Sequence, residues 1–283
     1  ALTYGRVDGA IKVTGVDHLA NGEGFRNYHG GVGGITSFGL DHQGELYVLR
    51  HGHSTRIERL VEATPRPGNV PALLSQTGAF ADLATLQPAP GLLPYEVRVP
   101  QWLNGASARR WISVPTGKQI RFDATGPWQF PAGTVCVEHL DWTRDPADPK
   151  SARPIETRFL VSTADGTAYG VTYRWRADRT DADLVAADDV SETLETRGAK
   201  GERVRVLWVY PSPKDCLQCH TPGAGHVLGV KTRQLNFPVP SDAGTAENQV
   251  AAWQRQGLLA GGPKPAALAA LPALAPLGDT TAP

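Results

Sequence analysis

The sequence predicts a mainly β fold: a propeller-like blade fragment, an antiparallel β-sandwich, and a small α-helical segment toward the C-terminus. Three observations predict it. Glycine (31 residues) and proline (23) punctuate short β-branched and aromatic runs through the first two thirds, which is how strands separated by turns read. Seven such runs lie between residues 93 and 210, at the spacing of an antiparallel sandwich. At Pro211 the character changes, and helical patterning replaces alternation.

Taken in order, the first segment spans residues 1–62. Residues 34–41 (GITSFGLD) and 43–49 (QGELYVL) read as strand, turn, strand, and 55–60 (TRIERL) alternates polar with apolar. Such a hairpin set is marginal alone, so it reads as one blade without its neighbours. The glycine-rich run 28–34 (YHGGVGG) lacks the lysine of a P-loop and a following helix, and reads as a turn. Residues 63–92 hold Pro65, Pro67, Pro71, Pro88 and Pro90 around a short helical candidate at 80–86, and read as a linker or wrapping segment.

The sandwich is expected over 93–210, with strands at 95–99, 109–114, 119–123, 134–142, 155–163, 169–176 and 204–210. Val135, Val137, Leu140 and Trp142, then Val204, Val206, Leu207 and Val209, supply its core faces. Residues 211–261 form the helical segment. Its clearest helix is 245–257, with Thr245 as cap, Glu247 in the first turn, Val250 and Trp253 at i, i+3, and Gly257 as the stop. The Ala/Leu/Pro-rich end, 262–283, carries only Lys264 and Asp279 as charges and reads as an extended arm.

Composition excludes several classes. The 28 basic and 28 acidic side chains cancel, so no basic surface for nucleic acid is expected. No apolar run approaches the roughly 18 residues of a membrane span. Three cysteines in 283 residues are too few for a disulfide-built scaffold. Methionine is absent. The chain is therefore expected to be processed or a fragment, its export signal already removed, and no thioether side chain is available as a metal ligand.

The motif that carries chemistry is Cys216-Leu217-Gln218-Cys219-His220. CxxCH is the attachment sequence of haem c, in which two thiols add to the porphyrin vinyl groups and the histidine gives a nitrogen to iron. The spacing needs a helical turn, and Ser212-Pro213-Lys214-Asp215 offers the cap, the proline and the acidic residue that start one. Cys216 and Cys219 are thus the covalent links of one haem c, and His220 its proximal ligand. Three other readings of the pair stay open: a thioredoxin-like dithiol, a zinc site recruiting Cys136 with a histidine, and an unmodified or disulfide-bonded pair.

With no methionine, the sixth iron position falls to a second histidine, another nitrogen or oxygen donor, water, or nothing. His139, on a strand among apolar neighbours, is the first candidate. His226, six residues beyond His220, and the blade-loop pair His51 and His53 are the others. Cys136 reads as a small buried hydrophobe. Asp178, Asp181, Asp183, Asp188 and Asp189 lack the glycine and closing glutamate of a calcium loop, and read as a solvated acidic loop.

Two resemblances add to this. The stretch GITSFGLDHQGELYVL resembles the closing blade of soluble quinoprotein sugar dehydrogenases of the glucose/sorbosone dehydrogenase-like group. That group's quinone and catalytic residues sit on other blades, so pyrroloquinoline quinone (PQQ) or calcium would belong to propeller parts outside this chain. Residues of about 85–260 resemble the C-terminal region of exported bacterial c-type haem proteins, dihaem cytochromes and propeller–cytochrome fusions. The matching stretches are QWLNG at 101–105, WQFPAGTV at 128–135, ETR at 156–158, YRW at 173–175 and CLQCHTPGAGHVLGVKTRQLNF at 216–237, continued by Asn248, Gln249, Val250, Trp253 and Gly257.

The resemblance implies haem at Cys216, Cys219 and His220, and a location in the periplasm or outside the cell. The expected function is electron transfer, as the cytochrome part of an exported sugar- or alcohol-dehydrogenase-like oxidoreductase. Its partners would be a redox protein or second cytochrome, with no nucleic acid and no membrane span. The rival expectations are a structural or interaction subunit of a larger redox assembly, and a haem-free metal- or ligand-binding sandwich.

Overall fold

A computed structural model describes residues 35–44, 46–50, 56–59, 70–164, 166–185, 190–198, 200–240 and 244–279. The glycine-rich run at 28–34, His51, His53, Asp188 and Asp189 lie outside the described residues. The fold is mainly β with antiparallel sheets, and the chain divides into two units.

The first unit is Ala1–Asn69 with Leu217–Gly223. Its sheet is an antiparallel meander of β1 (Ile35–Leu40), β2 (Leu46–Arg50) and β3 (Arg56–Arg59), as the alternation predicts. Gly44, at φ 82°, closes the β1–β2 turn, where its amide hydrogen bonds to the Asp41 carbonyl. Val48 is buried, while Leu40 and Ile57 are exposed.

The second unit is Val70–Cys216 with Ala224–Pro283. Its centre is a six-stranded antiparallel sheet that runs from Ala182–Leu184 at one edge through Ala168–Trp175, Ala152–Ser162, Val135–Thr143 and Ser107–Ser113 to Leu93–Tyr95 at the other. The strands are β6 (Leu93–Tyr95), β7 (Ser107–Ser113), β9 (Val135–Thr143), β10 (Ala152–Ser162), β11 (Ala168–Trp175) and β12 (Ala182–Leu184). A second antiparallel sheet, the hairpin of β13 (Ser191–Arg197) with β14 (Arg203–Val209), packs Leu194 and Trp208 against the central sheet.

Register explains why the central strands are buried on both sides. Residues opposite one another share a face, and successive residues alternate. One face therefore carries the row Ile112, Cys136, Leu160, Gly170, and the other the row Trp111, Val137, Phe159, Val171. The first row packs under Val227, Val230, Leu235, Val250, Trp253 and Leu259 of the C-terminal segment. The second packs under Leu74, Phe80, Leu86 and Leu92. Farther along, Leu140, Trp142 and Ile155 pack with Leu194 of β13 and with Trp208 and Tyr210.

Residues 70–92 thus form a wrapping layer on the core. The helical candidate at 80–86 is instead strand β4 (Phe80–Asp82), a turn, and strand β5 (Gln87–Pro88). The Asp82 carboxylate accepts from the Ala84 amide at 2.9 Å and the Thr85 hydroxyl at 2.8 Å, a local alternative to helical bonding. At the C-terminus the expected helix begins later, as Gln249–Arg255. Asn248 rather than Thr245 caps it, accepting from the Val250 and Ala251 amides, and Gly257 at φ 75° stops it. The arm is held as far as Leu274: Leu268 is buried in the core, Asn236 donates to the Leu268 and Leu271 carbonyls, and the Leu274 amide bonds Arg233.

Candidate functional site

Helix α1 (Pro213–Cys219) carries both motif cysteines. Its start is built as the sequence predicts. The Ser212 amide and hydroxyl both donate to Asp215 Oδ2, at 2.9 and 2.8 Å, so the third helical residue reaches back to the cap. A spacing of three places Cys216 and Cys219 on one side of the helix, one turn apart. His220 follows directly after it. Cys219 is exposed; Cys216 and His220 are half-buried.

Cys216 rests on strand β11. A Cβ at Gly170 would lie 2.5 Å from both Cβ and Sγ of Cys216, so the strand accommodates the thiol only because residue 170 has no side chain. Burial pushes the Cys216 thiol up to about 11, Glu156 and Asp215 add to it, and Arg158 opposes.

The charged groups beside this contact form one network on the same sheet face. Glu156 is fully buried and is held by Arg158 through both carboxylate oxygens, one bond measuring 3.1 Å. Trp208 of β14 donates its indole hydrogen to Glu156 Oε2 at 2.8 Å. Arg158 also faces Glu138 at 3.7 Å, and Glu138 pairs with Arg110 at 2.8 Å. The sequence reading missed this network. Glu156 and Arg158 stand at i, i+2, and the strand register sets Glu138 opposite both Arg158 and Arg110.

His139, the expected sixth ligand, lies apart from Cys216 on the central sheet. It pairs with Thr157, whereas Gly170 pairs with Leu160, three residues along the same strand. Alternation therefore turns His139 to the opposite face of the sheet. Both ring nitrogens are engaged: Nδ1 with Thr157 Oγ1 at 2.8 Å and Nε2 with Asp141 Oδ1 at 3.2 Å. Thr157 Oγ1 also accepts from the Trp175 indole at 2.9 Å, and the Trp175 ring stands edge-on to the imidazole at 5.5 Å. Burial holds the imidazole below the ordinary histidine value, against the pull of Asp141.

No protein-family model, no curated protein and no solved structure matches this chain.

The remaining candidates fall as follows. His226 occupies a left-handed turn at φ 60° beside Gly225, whose missing side chain admits Pro127. Cys136 packs against the apolar core two strands away from Gly170, and burial pushes its thiol up to about 12. Among the described residues no group of three or more histidine, cysteine, aspartate or glutamate side chains is arranged to hold a metal ion. Asp178, Asp181 and Asp183 bind Thr180, Ser75 and Arg176 respectively. The chain offers two thiols one helical turn apart, Cys216 and Cys219, with the His220 imidazole next in sequence.

Proposed function

We propose that this chain is a c-type haem electron-transfer protein, exported to the periplasm or beyond, in which Cys216 and Cys219 form the thioether links and His220 is the proximal ligand. One observation carries the reading: Cys216 and Cys219 stand one turn apart on a helix whose start is capped, with His220 next in sequence. When bound, haem c supplies an iron that gains and loses one electron at a time. The chain's own residues hold it. The Ser212–Asp215 cap fixes the start of α1, and Gly170 gives Cys216 its place on the sheet.

Electrons would pass to and from a redox partner protein or second cytochrome. The broader assignment, as the cytochrome part of a sugar- or alcohol-oxidising parent, rests on the sequence resemblance alone. Haem c is attached outside the cytoplasm, and export follows from the haem. The test is a pyridine haemochrome spectrum of the protein produced together with a haem c attachment system. A c-type band that is lost in Cys216→Ala/Cys219→Ala supports the proposal, and its absence from the wild type overturns it.

A further inference from the structure

We infer that Gly170 is a positioning residue for thioether attachment at Cys216. The inference rests on the haem reading above and goes one residue beyond the motif. Glycine at 170 is not required by backbone conformation. It lies inside strand β11 without a positive φ, where glycine lacks packing and weakens the strand. What the position does require is space.

Three described glycines outside the left-handed region would place a Cβ within 3.0 Å of another atom: Gly170, Gly198 and Gly262. At Gly198 and Gly262 the nearest atoms are the far ends of the Glu202 and Gln254 side chains, which can swing away. At Gly170 they are Cβ and Sγ of Cys216, and Cβ is fixed by the helix backbone. A methyl group there is relieved by moving Cys216 off the strand.

The chemistry that depends on this placement is an addition. The Cys216 S–H bond breaks, sulfur bonds to the inner vinyl carbon, the hydrogen goes to the outer vinyl carbon, and the vinyl π bond is consumed. No electrons are gained or lost, so no oxidant or reductant enters. Such a step needs the sulfur held at the vinyl position. With Cys216 displaced, the exposed Cys219 still reacts, and a haem held by one thioether results.

The experiment produces the full chain with a haem c attachment system as wild type, Gly170→Ala and Cys216→Ala. In Gly170→Ala the intact mass keeps one haem adduct, and the haemochrome band moves to longer wavelength, as in Cys216→Ala, because one vinyl group stays conjugated. A Gly170→Ala band identical to wild type overturns the inference. If the wild type carries no adduct, the haem reading has failed separately. The seat is then read from iodoacetamide labelling of Cys216 in a Cys136→Ser/Cys219→Ser background. Gly170→Ala should speed labelling about tenfold by exposing the thiol, and an unchanged rate overturns it. If Gly170→Ala does not fold, Gly170→Ala/Cys216→Gly removes the overlap. Recovery of the β circular dichroism supports the contact, and no recovery refutes it.

Discussion

Trp208 donates its indole hydrogen to Glu156 at 2.8 Å, and Glu156 has no solvent exposure. The bond joins hairpin β13–β14 to the central sheet through a carboxylate that Arg158 also holds. A buried ion pair of this kind is costly to split and much less costly to replace whole. Arg158→Met alone, which strands the carboxylate, should destabilise the fold by about 3–5 kcal/mol. Glu156→Gln/Arg158→Met should cost far less than Arg158→Met alone. Urea unfolding of the two variants checks the order, and equal losses refute it.

The same carboxylate gives a signed pH dependence. Burial raises Glu156 above the ordinary glutamate value of 4.5, more than Arg158 and Trp208 lower it. The folded state therefore holds this proton more tightly than the unfolded chain, so the contribution is fully present below 4.5 and is lost as pH rises through the folded value. Glu156→Gln removes the term. The stability difference between wild type and Glu156→Gln should thus shift against the wild type with rising pH, as read from denaturation midpoints, and a flat difference refutes it.

His139 titrates in the opposite sense. Its folded value lies below the ordinary 6.5, chiefly through burial, so acidification protonates the unfolded chain first. The stability it contributes is present above 6.5 and is lost as pH falls. His139→Gln should flatten that acid limb while leaving any haem spectrum unchanged, because the ring faces away from Cys216. Thr157→Val strands both His139 Nδ1 and the Trp175 indole hydrogen, and should cost roughly 2–3 kcal/mol. A haem spectrum altered in His139→Gln would support His139 as the sixth ligand.

These two sites show what the sequence could and could not convey. Strands β9, β10, β11 and β14 fall within a few residues of their expected positions, because β-branched and aromatic alternation is a local signal. The start of α1 was legible for the same reason, since Ser212, Pro213 and Asp215 are neighbours in the chain. The Glu156 network was not. Charges at i, i+2 read as a solvent face, and only the return of β14 covers them. The turn after Asp82 lay hidden because one carboxylate outweighs weak helical periodicity. Asn248 and Thr245 are both good caps, and pairing of Asn248 with Pro238 across β16 (Ala246–Asn248) and β15 (Pro238–Pro240) favours the former. Gly170 reads as a weak strand position until Cys216, 46 positions later in the sequence, is placed on it.

The cap of α1 is expected to control the motif's order. A seven-residue helix has little stability of its own, so local bonds at its start weigh heavily. Asp215→Ala removes the acceptor of both Ser212 bonds and should cost about 1 kcal/mol. Amide hydrogen exchange at residues 216–219 should then quicken about fivefold, with less covalent haem recovered. Unchanged exchange would mean that the helix is held by packing alone.

The wrapping layer makes the last prediction, because a linker and a core layer respond differently to truncation. Leu74 is 1% exposed and packs with Trp111, Val137 and Phe159 beneath it. Its segment is also tied to the sheet where the Ser75 amide and hydroxyl donate to Asp181, at 3.1 and 2.6 Å. Leu74→Ala leaves a cavity that these fixed neighbours cannot close, and should cost about 2–5 kcal/mol. Ile57→Ala, at a side chain 71% exposed on β3, should stay within about 0.5 kcal/mol of wild type. Urea midpoints for the pair separate the alternatives. If residues 70–92 only linked two units, both substitutions would be silent; as a core layer, the segment makes Leu74 sensitive and leaves Ile57 indifferent.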